Sequence, residues 1–204
     1  RRGLGKAGSY NNAFAMGGLG PAKSNTEEFT LSITTTTAGA WASGGDTTDT
    51  FASCFGAGTQ TAALKAGGSP PAGGSTNSEE YDGSSWTASN DLNYACPQGI
   101  NAQGWGPQTA AIIAGGTSSA PTSSKSQLYD GTSWSASAVL PQTTVRSHNQ
   151  AGKSSASAHT AGGNYASSFT WDGTSWATST NYTQGGDTTV RYPTGGGTAD
   201  HHWL

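Results

Sequence analysis

A Gly-Gly doublet closes an Ala-rich run four times along the chain, at Gly17-Gly18, Gly67-Gly68, Gly115-Gly116 and Gly162-Gly163, with spacings of 50, 48 and 47 residues. Self-similarity at such a period marks a repeat architecture, in which each unit buries its apolar face only against its neighbours. Two further columns keep step with the doublets. Gly8, Gly58, Gly106 and Gly152 precede them by 9, 9, 9 and 10 residues. Downstream, an aromatic is followed by a tryptophan: Phe29 by Trp41, Tyr81 by Trp86, Tyr129 by Trp134, and Trp171 by Trp176. The last three pairs are five residues apart, whereas an insertion carrying Thr34 to Thr37 separates the first. The wording itself recurs, TQTAALKAGG at 59–68 matching PQTAAIIAGG at 107–116, and YDGSSWT at 81–87 matching YDGTSWS at 129–135.

Asp82-Gly83, Asp130-Gly131 and Asp172-Gly173 are hairpin signals, because a tight primed turn needs a positive φ that glycine tolerates. Each repeat then reads as four short strands: one before the first glycine, one ending at the doublet, one ending at the aromatic and one starting at Trp. That is the blade of a β-propeller. The expectation is an all-β chain forming a single propeller segment over 1–204, with blades near 1–45, 46–92, 93–140 and 141–185, and 186–204 opening a fifth. Residues 1–18 already supply the inner strands of the first blade, so a closed four-bladed ring would leave 186–204 surplus. A larger propeller, completed by further sequence or by another copy, is therefore expected.

Leu, Ile, Val and Phe together make up about a tenth of the chain, below the level of about a fifth that usually warns of disorder. Disorder, however, goes with high net charge and few aromatics. Here only 10% of residues are charged, the formal net charge is -3, and there are seven Trp and seven Tyr. The composition suits thin, repeated β-layers. In the second strands, Ala62, Ala63, Ala66, Ala110, Ala111 and Ala114 would let neighbouring sheets approach near the axis. The larger column Phe14, Leu64, Ile112 and His159 marks a face buried between blades. Trp41, Trp86, Trp134 and Trp176 are expected to supply the apolar area of the outer strands, where blades splay.

With nine Lys and Arg against twelve Asp and Glu, no basic surface exists to recruit nucleic acid. No run reaches the 18 or so apolar residues of a spanning helix, and no secretory leader opens the chain, so no membrane insertion is expected. Arg2, Arg146 and Arg191 each stand six residues before Gly8, Gly152 and Gly197, while Ala52 and Ile100 hold that slot in between. They are read as inter-blade residues that hydrogen-bond loop carbonyls, against the alternative that they converge on a channel mouth. The Asp-Gly-x-Ser-Trp segments miss the Asp box S/T-x-D-x-G-x-T/S-W by one residue, and that box is a turn motif. Glu27-Glu28 and Glu79-Glu80 point to opposite faces of a strand, so they read as solvated strand ends rather than a glycosidase acid pair. Asp200-His201-His202 lacks a third metal ligand. His159 reads as a core histidine and His148 as a loop residue. Tyr94 near Cys96 has no spacing specific to a copper-radical site, and Cys54 and Cys96 read as buried thiols. No catalytic residue, metal or cofactor is expected, and Tyr165 and Tyr182, with Asn181, are the candidate glycan contacts.

The Arg slot, the Gly-Gly doublet and the spaced aromatic and Trp resemble the kelch repeat over nearly the whole chain. The departures are Trp171 where Tyr is usual, the Thr-rich insertion, and the scarcity of charge. The wording AGTQTAAL…GG…EEYDGSSWT is similar to kelch-like repeats in structural proteins of marine bacteriophages. That resemblance implies a non-enzymatic structural and binding propeller at a virion surface, in a tail fibre or appendage, partnered by other virion proteins or copies of itself, with attachment to host surface glycan. The alternatives are a sialidase- or oxidase-like propeller enzyme whose catalytic residues lie outside this segment, and a kelch protein-interaction adaptor.

Overall fold

The computed structural model describes residues 5–8, 12–17, 24, 26–30, 40–69, 74–95, 104–115, 124–142, 149–161, 167–179, 196–198 and 201–203. All regular structure among them is β. The first sheet runs β1 (Gly5–Gly8), β2 (Asn12–Met16), β3 (Thr26–Thr30) and β4 (Ala40–Ser43). The second runs β5 (Phe55–Thr59), β6 (Ala62–Ala66), β7 (Ser78–Tyr81) and β8 (Trp86–Ser89). The third holds β9 (Gly104–Trp105), β10 (Ala111–Ala114), β11 (Ser126–Tyr129) and β12 (Trp134–Ala136). The fourth holds β13 (Asn149–Ser154), β14 (Ser157–Ala161), β15 (Ser168–Trp171) and β16 (Trp176–Thr178). Each of these is a four-stranded antiparallel meander in chain order, followed by a two-stranded ladder of β17 (Gly196–Thr198) and β18 (His201–Trp203). The first strands of successive sheets stand side by side, β1 by β5, β5 by β9, β9 by β13 and β13 by β17. In every sheet the inner position therefore belongs to the first strand and not to the Ala-rich second.

The doublet glycines end the second strands because of their backbone. Gly17, Gly67 and Gly115 take φ of +66°, +63° and +76°, left-handed values that a side chain resists. At Gly17 a Cβ would also stand 2.6 Å from the Phe51 ring. The first doublet thus stops β2 and admits the aromatic that leads into the second sheet.

The hairpins between third and fourth strands differ from the tight primed turn expected. Each is a four-residue loop, Asp82 to Ser85 in the second sheet, closed by the backbone bond from the Asp82 N–H to the Ser85 carbonyl at 3.2 Å. Gly83 has φ +96°, but Asp82 does not share the positive φ that a type I′ turn demands at both central residues. The Asp82 carboxylate does the organising, its Oδ1 accepting the N–H groups of Ser84 and Ser85, each at 2.8 Å. Asp130 and Asp172 repeat the arrangement with Thr132 and Ser133 and with Thr174 and Ser175. The bond from the Ser85 N–H, with those from Ser84, lowers the Asp82 carboxyl to about 2, and the same cause lowers Asp130 and Asp172.

Apolar clusters fill the spaces between consecutive sheets, built around Phe14, Met16 and Trp86, around Leu64, Ile113 and Trp134, and around Ile112, Phe169 and Trp176. The tryptophan column is buried at Trp86, Trp134 and Trp176, but Trp41 is 57% exposed, contrary to the expectation for it. Ala63, Ala66, Ala111 and Ala114 are buried but on second strands, one strand out from the row of first strands rather than at the axis as expected, whereas Ala62 is half-buried and Ala110, also half-buried, precedes β10. In the larger column Phe14, Leu64 and Ile112 are buried and His159 is half-buried, with burial lowering the imidazole pKa.

Candidate functional site

Two hydrogen-bond ladders lock successive sheets together. The indole N–H groups of Trp86, Trp134 and Trp176 donate to Thr26, Ser78 and Ser126 at 3.0, 3.2 and 3.1 Å. Each acceptor is the first residue of the preceding sheet's third strand. In the second ladder the Tyr81 hydroxyl donates to Glu28, and Tyr129 donates to Glu80 at 2.7 Å. Glu28 and Glu80 are therefore half-buried acceptors rather than solvated strand ends, because the next sheet's phenol reaches back to them. Burial first, and the neighbouring carboxylate after it, push both phenols up to about 12. Leu128 takes the glutamate position in the third sheet, so that sheet offers no carboxylate to the aromatic of the next. The fourth sheet carries Trp171 in place of a tyrosine, and its Nε1 turns to the Ser155 carbonyl at 2.7 Å while Leu128 packs against its cluster.

The second sheet departs from the others at one register position. Lys65 on β6 lies directly opposite Glu79 on β7, both side chains are 1% exposed, and Nζ stands 3.0 Å from Oε1. Glu79 Oε2 accepts the Thr48 N–H at 2.9 Å, and Nζ lies 4.5 Å from the centre of the Phe51 ring. Glu79 was expected at a solvated strand end; Lys65 across the ladder draws it inward. The corresponding pairs are Ala15 with Glu27, Ile113 with Gln127, and Thr160 with Phe169.

Lys65 borders a cavity of about 470 Å³, which Asp49, Thr50, Phe51, Gly67, Gly74, Ser75, Thr76 and Asn77 also line. It forms where the connection from the first sheet to the second meets the loop after β6. Main-chain bonds hold that meeting: Ala52 and Ser69 exchange bonds at 3.3 and 2.7 Å, Gly67 donates to Asn77, and Ser75 to Gly68. At the lip the Asn77 amide donates to Asp49 Oδ2 at 2.7 Å, Ser75 Oγ accepts the Asn77 N–H at 3.0 Å, and the Thr76 hydroxyl donates to Asp91 at 3.3 Å. Short polar side chains thus line the cavity beside Lys65, whose charge Glu79 cancels. Such a wall presents hydrogen-bond donors and acceptors to the cavity.

Of the residues singled out in the sequence, Gly67 borders this cleft, Gly68 continues its loop, and Gly17 lies under Phe51, while Gly115 ends β10. Trp86, Trp134 and Trp176 build the first ladder. Gly18, Gly116, Gly162, Gly163, Arg2, Arg146, Arg191, Tyr165, Tyr182, Asn181, His148, Cys96 and Asp200 lie outside the described residues. His201 and His202 are consecutive on β18, and Cys54 is buried. Tyr94 lies beneath the Lys125 ammonium, 3.6 Å from the ring centre. Among the described residues no three His, Cys, Asp or Glu side chains gather as metal ligands. Sequence reasoning missed Lys65, Asp49 and Asn77 and undervalued Glu79. The available signal was a single lysine in the Ala-rich second strand, two residues before its doublet.

No protein-family model and no curated protein matches the chain. The solved structure titled "Structure of YjhT" superposes on it with a TM-score of 0.74, covering 96% of this chain and 69% of that one at 11% identity. YjhT is a β-propeller, and the likeness shows a propeller-like arrangement of the sheets here.

Proposed function

We propose that this chain is a kelch-like propeller segment of four blades with a fifth begun, serving a non-catalytic structural and binding role. Its place is a virion surface, as a tail-fibre or appendage component that engages host surface glycan and neighbouring virion proteins. The observation that carries the binding half is the cleft of the second sheet, which hydrogen-bonding side chains line together with Lys65, whose charge Glu79 neutralises. Other acidic groups of the described sheets are engaged in the scaffold. Glu28 and Glu80 hold tyrosines, and Asp82, Asp130 and Asp172 hold hairpins. The virion half is supported by the repeat wording, which resembles that of phage structural proteins. The test is binding of the complete protein to host cells and to their immobilised surface polysaccharide, for which saturable binding to both is expected. Absence of binding across the soluble concentration range would remove the attachment role.

A further inference from the structure

Building on that attachment role, we infer that the cleft of the second sheet is a glycan subsite for a neutral, hydroxyl-rich sugar, with Asp49 and Asn77 as its reading pair. The buried ion pair is the first reason. Withdrawing two charges from water costs free energy that only good geometry offsets. The third and fourth sheets close the same register position with Ile113 and Gln127 and with Thr160 and Phe169, so the scaffold itself does not call for a lysine there. In the sheet that carries the ion pair, its lysine borders a cavity.

Charge and hydrogen-bonding geometry then select the ligand. Lys65 is the one cation among the described lining residues, and Glu79 cancels it at 3.0 Å. The remaining formal charge on the wall is Asp49, which is negative and exposed at the lip. A sialic or uronic acid would bring its carboxylate to a wall with an anion and no spare cation. A neutral sugar meets no such opposition. Asp49 binds Asn77 through Oδ2, and among the described residues its Oδ1 has no partner and can accept a sugar hydroxyl. Asn77 beside it, with the hydroxyls of Ser75 and Thr76, places a donor next to an acceptor, the arrangement that matches adjacent hydroxyls on a sugar ring. The volume, about 470 Å³, lies within the roughly 300–1,000 Å³ of small-ligand pockets. Phe51 is 3% exposed and has Lys65 over its ring, so it sets the floor rather than offering a stacking face.

The experiment uses the complete protein and two immobilised polysaccharides of equal length, a neutral hexose polymer and a uronic-acid polymer. Wild type, Asp49→Ala, Asn77→Ala, Asp49→Lys and the distant surface variant Val139→Ser are compared, each checked for an unchanged melting temperature. Wild type is expected to prefer the neutral polymer. Asp49→Ala and Asn77→Ala should each weaken binding by roughly ten- to a hundredfold, the usual consequence of losing a hydrogen bond that involves a charged group. Val139→Ser should change nothing, and Asp49→Lys should shift preference toward the uronic polymer. Preference of wild type for the acidic polymer overturns the ligand class. Unchanged binding in both alanine variants overturns the site and leaves the attachment role standing, whereas no binding of wild type to either polymer or to host polysaccharide overturns both.

Discussion

The first and second sheets carry an aromatic opposite a tryptophan at the same place and use the pair differently. Phe29 and Trp41 lie opposite each other on β3 and β4, with ring centres 5.3 Å apart, and Tyr81 and Trp86 lie opposite each other on β7 and β8 at 5.0 Å. The local geometry is nearly the same. Yet Trp41 is 57% exposed and Trp86 is 5% exposed. Trp86 has the first sheet across from it, meeting the edge of Phe14 with ring centres 6.3 Å apart and donating to Thr26. Strand register creates the pair, and the neighbouring sheet determines what the pair contributes. Stability in such a stack resides mainly in the interfaces between repeats.

The largest effect predicted from this contrast is that of Trp86→Ala. It opens a void between two sheets and strips Thr26 of its donor, and loss of a buried tryptophan costs about 3–5 kcal/mol. A denaturant midpoint for Trp86→Ala close to wild type would mean that the interface does not carry the fold.

Next in size is the ion pair that sets the second sheet apart from the third. Lys65→Met leaves the Glu79 carboxylate buried without its counter-ion, for which about 3 kcal/mol of destabilisation is expected, the low end for broken buried pairs because Thr48 still donates to Glu79. Lys65→Ile combined with Glu79→Gln installs the third sheet's own pair, Ile113 with Gln127, and should restore most of that loss. If the double variant is no more stable than Lys65→Met, the two sheets are not interchangeable at this position.

The tyrosine ladder gives a smaller, pH-dependent effect. Tyr81 and Tyr129 titrate near 12 in the folded chain against an ordinary value of 10.0. The unfolded chain therefore loses these protons first as pH rises. The stabilisation is present in full below pH 10 and is lost between pH 10 and about 12. Tyr81→Phe and Tyr129→Phe should each cost about 1 kcal/mol at neutral pH. The double variant should also show a flatter decline of stability across that alkaline window, measured by denaturant titration at each pH. The interface between the third and fourth sheets, where Leu128 packs against the cluster that holds Trp171, is the natural control, with Leu128 and Trp171 in place of the glutamate and the phenol.

Much of this organisation is legible in the residues themselves. The doublets and the spaced aromatics place every strand of the second sheet within a residue or two, because left-handed glycines and cross-strand aromatic pairs are local requirements. The glutamine of the repeated QTAA wording reaches the preceding sheet in both copies but by different bonds, Gln108 donating to the Ala63 and Tyr81 carbonyls and Gln60 to the Glu28 and Thr30 side chains. The hairpin type was misread, since Asp-Gly alone does not reveal that the carboxylate, with two following N–H groups, will organise a longer loop. The cleft was not legible, because Asp49 and Asn77 are 28 positions apart and belong to different loops. Only the register that sets Lys65 against Glu79 shows which of two adjacent glutamates turns inward.

The smallest effect belongs to Trp41→Ala, and it tests the opening contrast most directly. With more than half of its surface already in water, Trp41 contributes chiefly its contact with Phe29, and aromatic pairs of that kind are worth about 0.5–1.5 kcal/mol. The expected cost is therefore about 1 kcal/mol, with a marked loss of collisional quenching of tryptophan fluorescence, because the most exposed indole among the described residues is gone. A cost approaching that of Trp86→Ala, with no change in quenching, would mean that Trp41 is covered in solution. The indole ladder names the group that would cover it: the Ser or Thr that heads the third strand of another sheet, placed as Thr26 is to Trp86.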